Sequence, residues 1–411
     1  MMRGRPESLL GSCQDVTSSV NPRHFSLKRI GLRRIGLVHI GILALVAVIA
    51  GCNSAPTVVP AELTRIESTR SAKTVWSKGV GGGGDRPAVR FAPFVTDDTV
   101  YSASANGQVS SLNRLTGDTN WTVDIGRDLT AGISGDETYL FVANGDGDVF
   151  CLRQDDGSRV WSASVSSEVI ASPVAGPDHL VVRSIDGKVY SLDKESGRQR
   201  WRFSYNVPAL SLHGNGRPLV GLDGVLVGLD NGKLVALHGD DGQVSWELSL
   251  SENDGRSEVD RLSDLDADIR PAGAFVYAVN YQGTLAQIDP SSGSTRWTAD
   301  MSSSVGMAVD ENIVAVTDEF DTVWGLSIAD GSVLWQQDAL TYRKLTAPAI
   351  VDGNTIVVGD FEGYLHLLSA SDGTMIGRHK VGSSQIMSQP VLRDGQGYVQ
   401  LRGGRLAAVS F

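Results

Sequence analysis

The sequence predicts an all-β fold, an eight-bladed β-propeller of four-stranded antiparallel blades whose ring is closed by pairing the N- and C-terminal strands. Three observations carry this. The chain repeats itself, six copies place a glycine four residues before a tryptophan, and the N-terminal part holds a lone strand that the C-terminal part lacks.

The repeat is clearest in NGQVSSLNRLTGDTNW, Asn106 to Trp121. Gly107 to Trp121, Gly147 to Trp161, Gly187 to Trp201, Gly232 to Trp246, Gly283 to Trp297, Asp321 to Trp335 and Gly363 to Gly377 keep one fourteen-residue step. From Trp121 to Trp335 successive tryptophans lie 40, 40, 45, 51 and 38 residues apart, the period of propeller blades. Runs such as Lys188-Val189-Tyr190-Ser191-Leu192 alternate apolar and polar residues, and Asp-Gly, Asn-Gly and Ser-Gly pairs mark the hairpin turns between them. A sheet of four short strands cannot bury its own faces, so neighbouring blades must cover them, and the recurrent tryptophan is a large apolar plug for that interface. Trp324 falls outside the register.

The two ends set the blade count. Leu406 to Phe411 ends the chain one strand short of a complete unit, and Ala72-Lys73-Thr74-Val75-Trp76 matches the tryptophan strand with nothing before it. Pairing them completes the eighth sheet and removes two open edges. A length of 411 residues alone would allow two or three domains, but repeat folds run long as one unit. The expected organisation is therefore a signal segment over 1–51, a lipidated Cys52 with a flexible tether to residue 70, and the propeller over 71–411.

The signal reading rests on Lys28, Arg29, Arg33 and Arg34 followed by sixteen mostly apolar residues, Ile35 to Ala50. That run is short of the roughly 20 residues a membrane-spanning helix needs. The basic stretch begins late, which points to a translation start near residue 26. Ile49-Ala50-Gly51-Cys52 resembles the bacterial lipobox, in which a signal peptidase cuts before a cysteine that receives the lipid. Asn53, where an aspartate would by the same resemblance retain the protein at the inner membrane, implies the periplasmic face of the outer membrane.

Removing residues 1–51 leaves 29 basic and 45 acidic side chains, a net charge of −16, which disfavours nucleic acid and anionic surfaces as partners of the ring. Cys151 is then the only cysteine besides Cys52, so no internal disulfide forms. The seven histidines show no metal-ligand spacing, and no nucleophile triad or phosphate-binding loop is readable. No catalytic residue, metal or cofactor is expected.

Two departures from the repeat single themselves out. Leu210-Ser211-Leu212-His213-Gly214-Asn215-Gly216 interrupts one unit, and the longest insertion carries Asp254, Glu258, Asp260, Asp264, Asp266 and Asp268. A solvated loop, a Ca²⁺ site or a docking surface for a basic partner are the readings open to the second; EF-hand spacing is absent. Loops on a rigid scaffold are where recognition is placed.

The glycine-to-tryptophan step resembles the quinoprotein-type propeller repeat. With the lipobox, Val259-Asp260-Arg261-Leu262-Ser263-Asp264 and Val358-Gly359-Asp360-Phe361-Glu362-Gly363-Tyr364-Leu365-His366, the chain resembles the BamB family, lipoprotein subunits of the outer-membrane β-barrel assembly machinery. The resemblance implies a non-enzymatic scaffold that binds the periplasmic domains of BamA, meets other subunits of the complex and assists unfolded outer-membrane proteins. It implies partner contacts at Leu210, Leu212 and His213, where the family has two leucines and an arginine, and at Asp264 and Asp266. An imidazole at 213 cannot give the bidentate contacts of a guanidinium. The alternative is a periplasmic quinoprotein oxidoreductase, whose adjacent cysteine pair over the cofactor this chain cannot supply.

Overall fold

The computed structural model describes residues 58–82, 90–211, 214–222, 224–250 and 263–411. Among these every regular element is a β-strand, and the strands form eight four-stranded antiparallel sheets. In chain order the blades cover 94–124, 129–164, 174–204, 219–249, 270–300, 306–337, 349–380, and 391–410 with Lys73–Gly79. The innermost strands of most successive blades touch, and contact between the first and the eighth closes the ring. The closure is the predicted one: Lys73–Gly79 pairs antiparallel with Arg405–Ser410, Trp76 opposite Ala408 and Lys78 opposite Leu406.

Within a blade the two middle strands are buried on both faces, as in Gln108–Asn113, while the outermost strand alternates, as in Thr119–Asp124. Each apolar cluster draws on neighbouring blades; Tyr101 and Val109 of the first meet Leu140, Val142 and Phe150 of the second. The tryptophans join these layers. In seven interfaces the indole lies against the glycine four residues before the next repeat's tryptophan position, where an added Cβ would come within 2.4–2.8 Å of the ring or its neighbour. The same indole donates to a backbone carbonyl of the next blade at 2.7–3.1 Å, from Trp76 Nε1 to Arg114 O through to Trp335 Nε1 to Ala370 O. These glycines have φ of 70–74°, so both conformation and space exclude a side chain there. Trp324 serves its own hairpin instead, donating to Asp318 Oδ2 at 2.8 Å.

Antiparallel order gives the ring two unlike faces. Connections between blades and the middle hairpin turns share one, the connection face; the other two turns of each blade share the hairpin face. Residues 58–70 do not form the flexible tether expected of them. They run along the outer strand of the seventh blade from the connection face, where Ala61 N donates to Thr341 O, to the hairpin face, where Arg70 meets Asp352. Arg70 pairs with Asp352 at 2.6 Å, the amides of Thr69 and Arg70 donate to Ile376 O at 2.9 Å, Arg378 donates to Thr64 O, and Arg343 donates to Ala61 O at 2.9 Å. Leu63 packs on the core between the sixth and seventh blades. This strap passes over Gly377, where a Cβ would lie 2.4 Å from Arg70 O. Cys52 lies outside the described residues.

Replacing Trp201, only 6% exposed, by alanine should cost about 3–5 kcal/mol, read from urea unfolding. Gly377→Leu should displace the strap, and trypsin should then cut at Arg65 and Arg70 much faster than in the parent while the ring persists.

Candidate functional site

The described parts of the connection of the third to the fourth blade (205–211 and 214–218) and of the fourth to the fifth (250 and 263–269) lie side by side on the connection face. In the second, Leu265 is fully buried and Ala267 nearly so, pointing into the core. Alternation turns Asp264, Asp266 and Asp268 the other way, onto the first loop. Ser211 Oγ donates to Asp264 Oδ2 at 2.6 Å, Gly214 N to Asp266 Oδ1 at 2.9 Å, and Arg217 N to Asp268 Oδ1 at 2.9 Å. Three carboxylates thus hold three successive points of the neighbouring loop. Gly214 is fixed by this contact, since a Cβ there would fall 2.0 Å from the Asp266 carboxyl carbon.

The two predicted aspartates are therefore inside the protein: Asp264 is 0% and Asp266 5% exposed. They anchor the loop, and Leu210, 43% exposed, is the side chain the loop displays. Leu212 and His213 lie outside the described residues. The structure thus joins Asp264 and Asp266 to the Leu210 loop, as part of one unit.

Asp230 completes the site from the fourth blade. Its carboxylate accepts from Arg183 and from the Tyr205 hydroxyl at 3.0 Å, and its oxygens, with those of Asp264 and Asp266, lie within 4.8 Å of one another. Such oxygens are hard-cation ligands by type, but the Arg183 guanidinium already brings a positive charge among them. Burial, then the adjacent Asp264 carboxylate, push the Asp266 carboxyl up to about 7 against the pull of Arg183. Asp268 goes the other way: burial opposes ionisation, yet Arg217, whose Nε and Nη2 both donate to Oδ2 at 3.0 and 2.6 Å, and Arg270 draw it down to about 2. Sequence reading missed Arg183, Tyr205, Arg217 and Asp230, which no local pattern sets apart.

Beside the site the ring encloses an axial cavity of ≈ 1180 Å³, lined on this side by Arg90, Arg217, Asp268, Arg270 and Gln389. Cys151 is not near a reactive setting; it is buried, and burial pushes its thiol up to about 12.

A family model described as outer membrane protein assembly factor BamB matches residues 105–337 and 326–411. The assembly factor BamB of Pseudomonas aeruginosa is 47% identical over 369 residues, covering 89% of this chain and 97% of that one. The chain belongs to the BamB family. The Escherichia coli K12 member is 34% identical over 382 residues, with 90% of this chain and 97% of that one covered. The crystal structure of BamB from Moraxella catarrhalis superposes with a TM-score of 0.76 at 24% identity, covering 83% of this chain and all of that one. A quinohemoprotein alcohol dehydrogenase from Comamonas testosteroni reaches 0.66 at 12% identity, over 84% of this chain and 78% of that one, a likeness of fold alone. The BamB family membership removes the oxidoreductase alternative.

Asp266 gives the site a pH signature. The folded carboxyl keeps its proton up to about 7, while the unfolded chain releases it near 3.8. Between those values the folded state binds more protons, so its stability falls as pH rises through that window. Asp266→Asn, which still accepts from Gly214, should flatten this fall and have a urea midpoint at pH 8 no lower than the parent's.

Proposed function

We propose that the protein is a non-enzymatic scaffold of outer-membrane β-barrel assembly, held at the periplasmic face by a lipid on Cys52. Its partner in this reading is the periplasmic part of BamA, with other subunits of the complex and unfolded outer-membrane proteins as further contacts. The observation that supports it is the likeness to assembly factors over nearly the full length of both chains. The geometry adds a mode of action. Leu210 is an apolar anchor presented by a loop that three carboxylates immobilise, two of them buried, so little conformational entropy is lost on docking. Asp264 and Asp266 act as positioning residues behind that anchor, and Leu212 and His213 belong to the same docking loop by sequence. The buried Cys151 and the lack of a cysteine pair fit a role without redox chemistry.

Affinity purification of the full chain from detergent-solubilised outer membranes should recover the BamA subunit. Leu210→Arg should weaken that association by about 2 kcal/mol, roughly thirtyfold, with the thermal unfolding of the ring unchanged. Recovery of the partner with unaltered affinity by Leu210→Arg would remove the site assignment and leave the scaffold role standing; recovery of no assembly subunit by the parent would remove the role itself.

A further inference from the structure

The connection face carries a second feature, two blades further round from the acidic ladder. Phe320, in the middle hairpin turn of the sixth blade, is 49% exposed, and Tyr342, in the connection from the sixth to the seventh, is 39% exposed. Their rings meet edge to face, 6.3 Å apart at 85°. Single apolar residues in water need no explanation, but this pair is held in place. Tyr342 N donates to Phe320 O at 3.0 Å, Thr341 N to Asp338 O and Arg343 N to Leu340 O at 3.2 Å. The Asp321 carboxylate accepts from Lys344 N and Leu345 N at 2.7 and 2.8 Å. Asp321, Tyr342 and Lys344 have φ of 64, 60 and 51°, a left-handed conformation unfavourable to a non-glycine residue unless its surroundings hold it. Beneath the loop Arg343 is locked to the fully buried Asp360 at 2.7 Å. A loop so constrained, with two aromatic rings held out in water, is shaped for contact.

The strap indicates with what. Ala61 N donates to Thr341 O at 2.9 Å, and Ala61 O accepts from Arg343 at the same distance. The described chain therefore begins beside the aromatic pair, with Val58 and Val59 60% and 73% exposed. Five residues, 53–57, separate Val58 from Cys52, and at about 3.6 Å per residue step the span from Cys52 to Val58 is at most roughly 22 Å. A lipid on Cys52 would tether this sector close to the bilayer. We propose that the sector of the connection face between the sixth and seventh blades rests on the bilayer interface, with Phe320, Tyr342, Val58 and Val59 at headgroup depth. Tyrosine suits that zone, having an apolar body and a polar tip, so the contact is made by apolar side chains and needs no attraction between the acidic ring and anionic lipid. The inference rests on the anchor reading given above.

The test uses the full lipidated chain in vesicles of phosphatidylethanolamine with phosphatidylglycerol as the minor lipid. Cys151 is buried and Cys52 acylated, so Tyr342→Cys labels selectively with a nitroxide; Leu222→Cys, at an 87% exposed site on the hairpin face, is the water-exposed control. The label at 342 should be several-fold more accessible to oxygen relative to a nickel chelate than the label at 222. Equal, water-like accessibility at both sites in vesicle-bound protein overturns the inference and spares the anchor. Protection at 342 that appears only after an assembly partner is added also overturns it, assigning the patch to protein. Partition of the parent chain into the aqueous phase in detergent phase separation overturns the anchor reading and the inference with it.

Discussion

The ring depends on one interaction used seven times, an indole laid on the glycine of the next blade. It works in two directions at once. The stacked ring supplies apolar area where a four-stranded sheet has too little of its own, and its N–H bonds a turn carbonyl that burial would otherwise leave without water. Because the glycine turn is in a left-handed conformation and carries no side chain, the indole can lie directly on its backbone. The fourteen-residue step is the linear trace of this contact: one middle hairpin turn, one strand, the glycine turn, then the tryptophan.

The seventh blade breaks the rule, and the break has a use. Gly377 stands in the tryptophan position, and the blade it would latch has a chain break in place of the glycine turn, since Lys73–Gly79 and Arg405–Ser410 meet there from opposite ends of the chain. With neither ring nor glycine turn to engage, the outer strand of the seventh blade is bare, and the strap covers it through Ile376 O. One substitution thus links ring closure to the fixed path of the N-terminal segment.

Much of the fold was legible because it repeats: seven copies of one turn chemistry outweigh any single ambiguous strand, and the closing pair was readable from what each end lacked. The tether was misjudged because its alanines, proline and valines have no periodicity, and what fixes it are bonds to residues some 280–310 positions away, such as Arg343 and Arg378. The site was legible in residue type and illegible in direction. An acidic run in an insertion reads as a solvated surface, yet Leu265 and Ala267 between the aspartates reveal a strand-like alternation whose other face is occupied. Its occupants, Ser211, Gly214 and Arg217, lie 51–53 residues earlier, so only the arrangement of blades could show that the carboxylates are satisfied from within.

That the docking loop and the strap's start share a face follows from strand parity. In a blade of four antiparallel strands the connection to the next blade must return to the side where the middle hairpin turns, so every long insertion between blades is delivered to one face. Lys73–Gly79 is an outermost strand entered from the hairpin face, so a segment preceding it reaches the connection face only by crossing the height of a blade. Residues 58–70 make that crossing on the seventh blade, the one whose missing tryptophan leaves a track. The position of Gly377 in the repeat therefore decides which sector of the ring residue 58 reaches, and with it how far round the ring the Leu210 loop stands from that point.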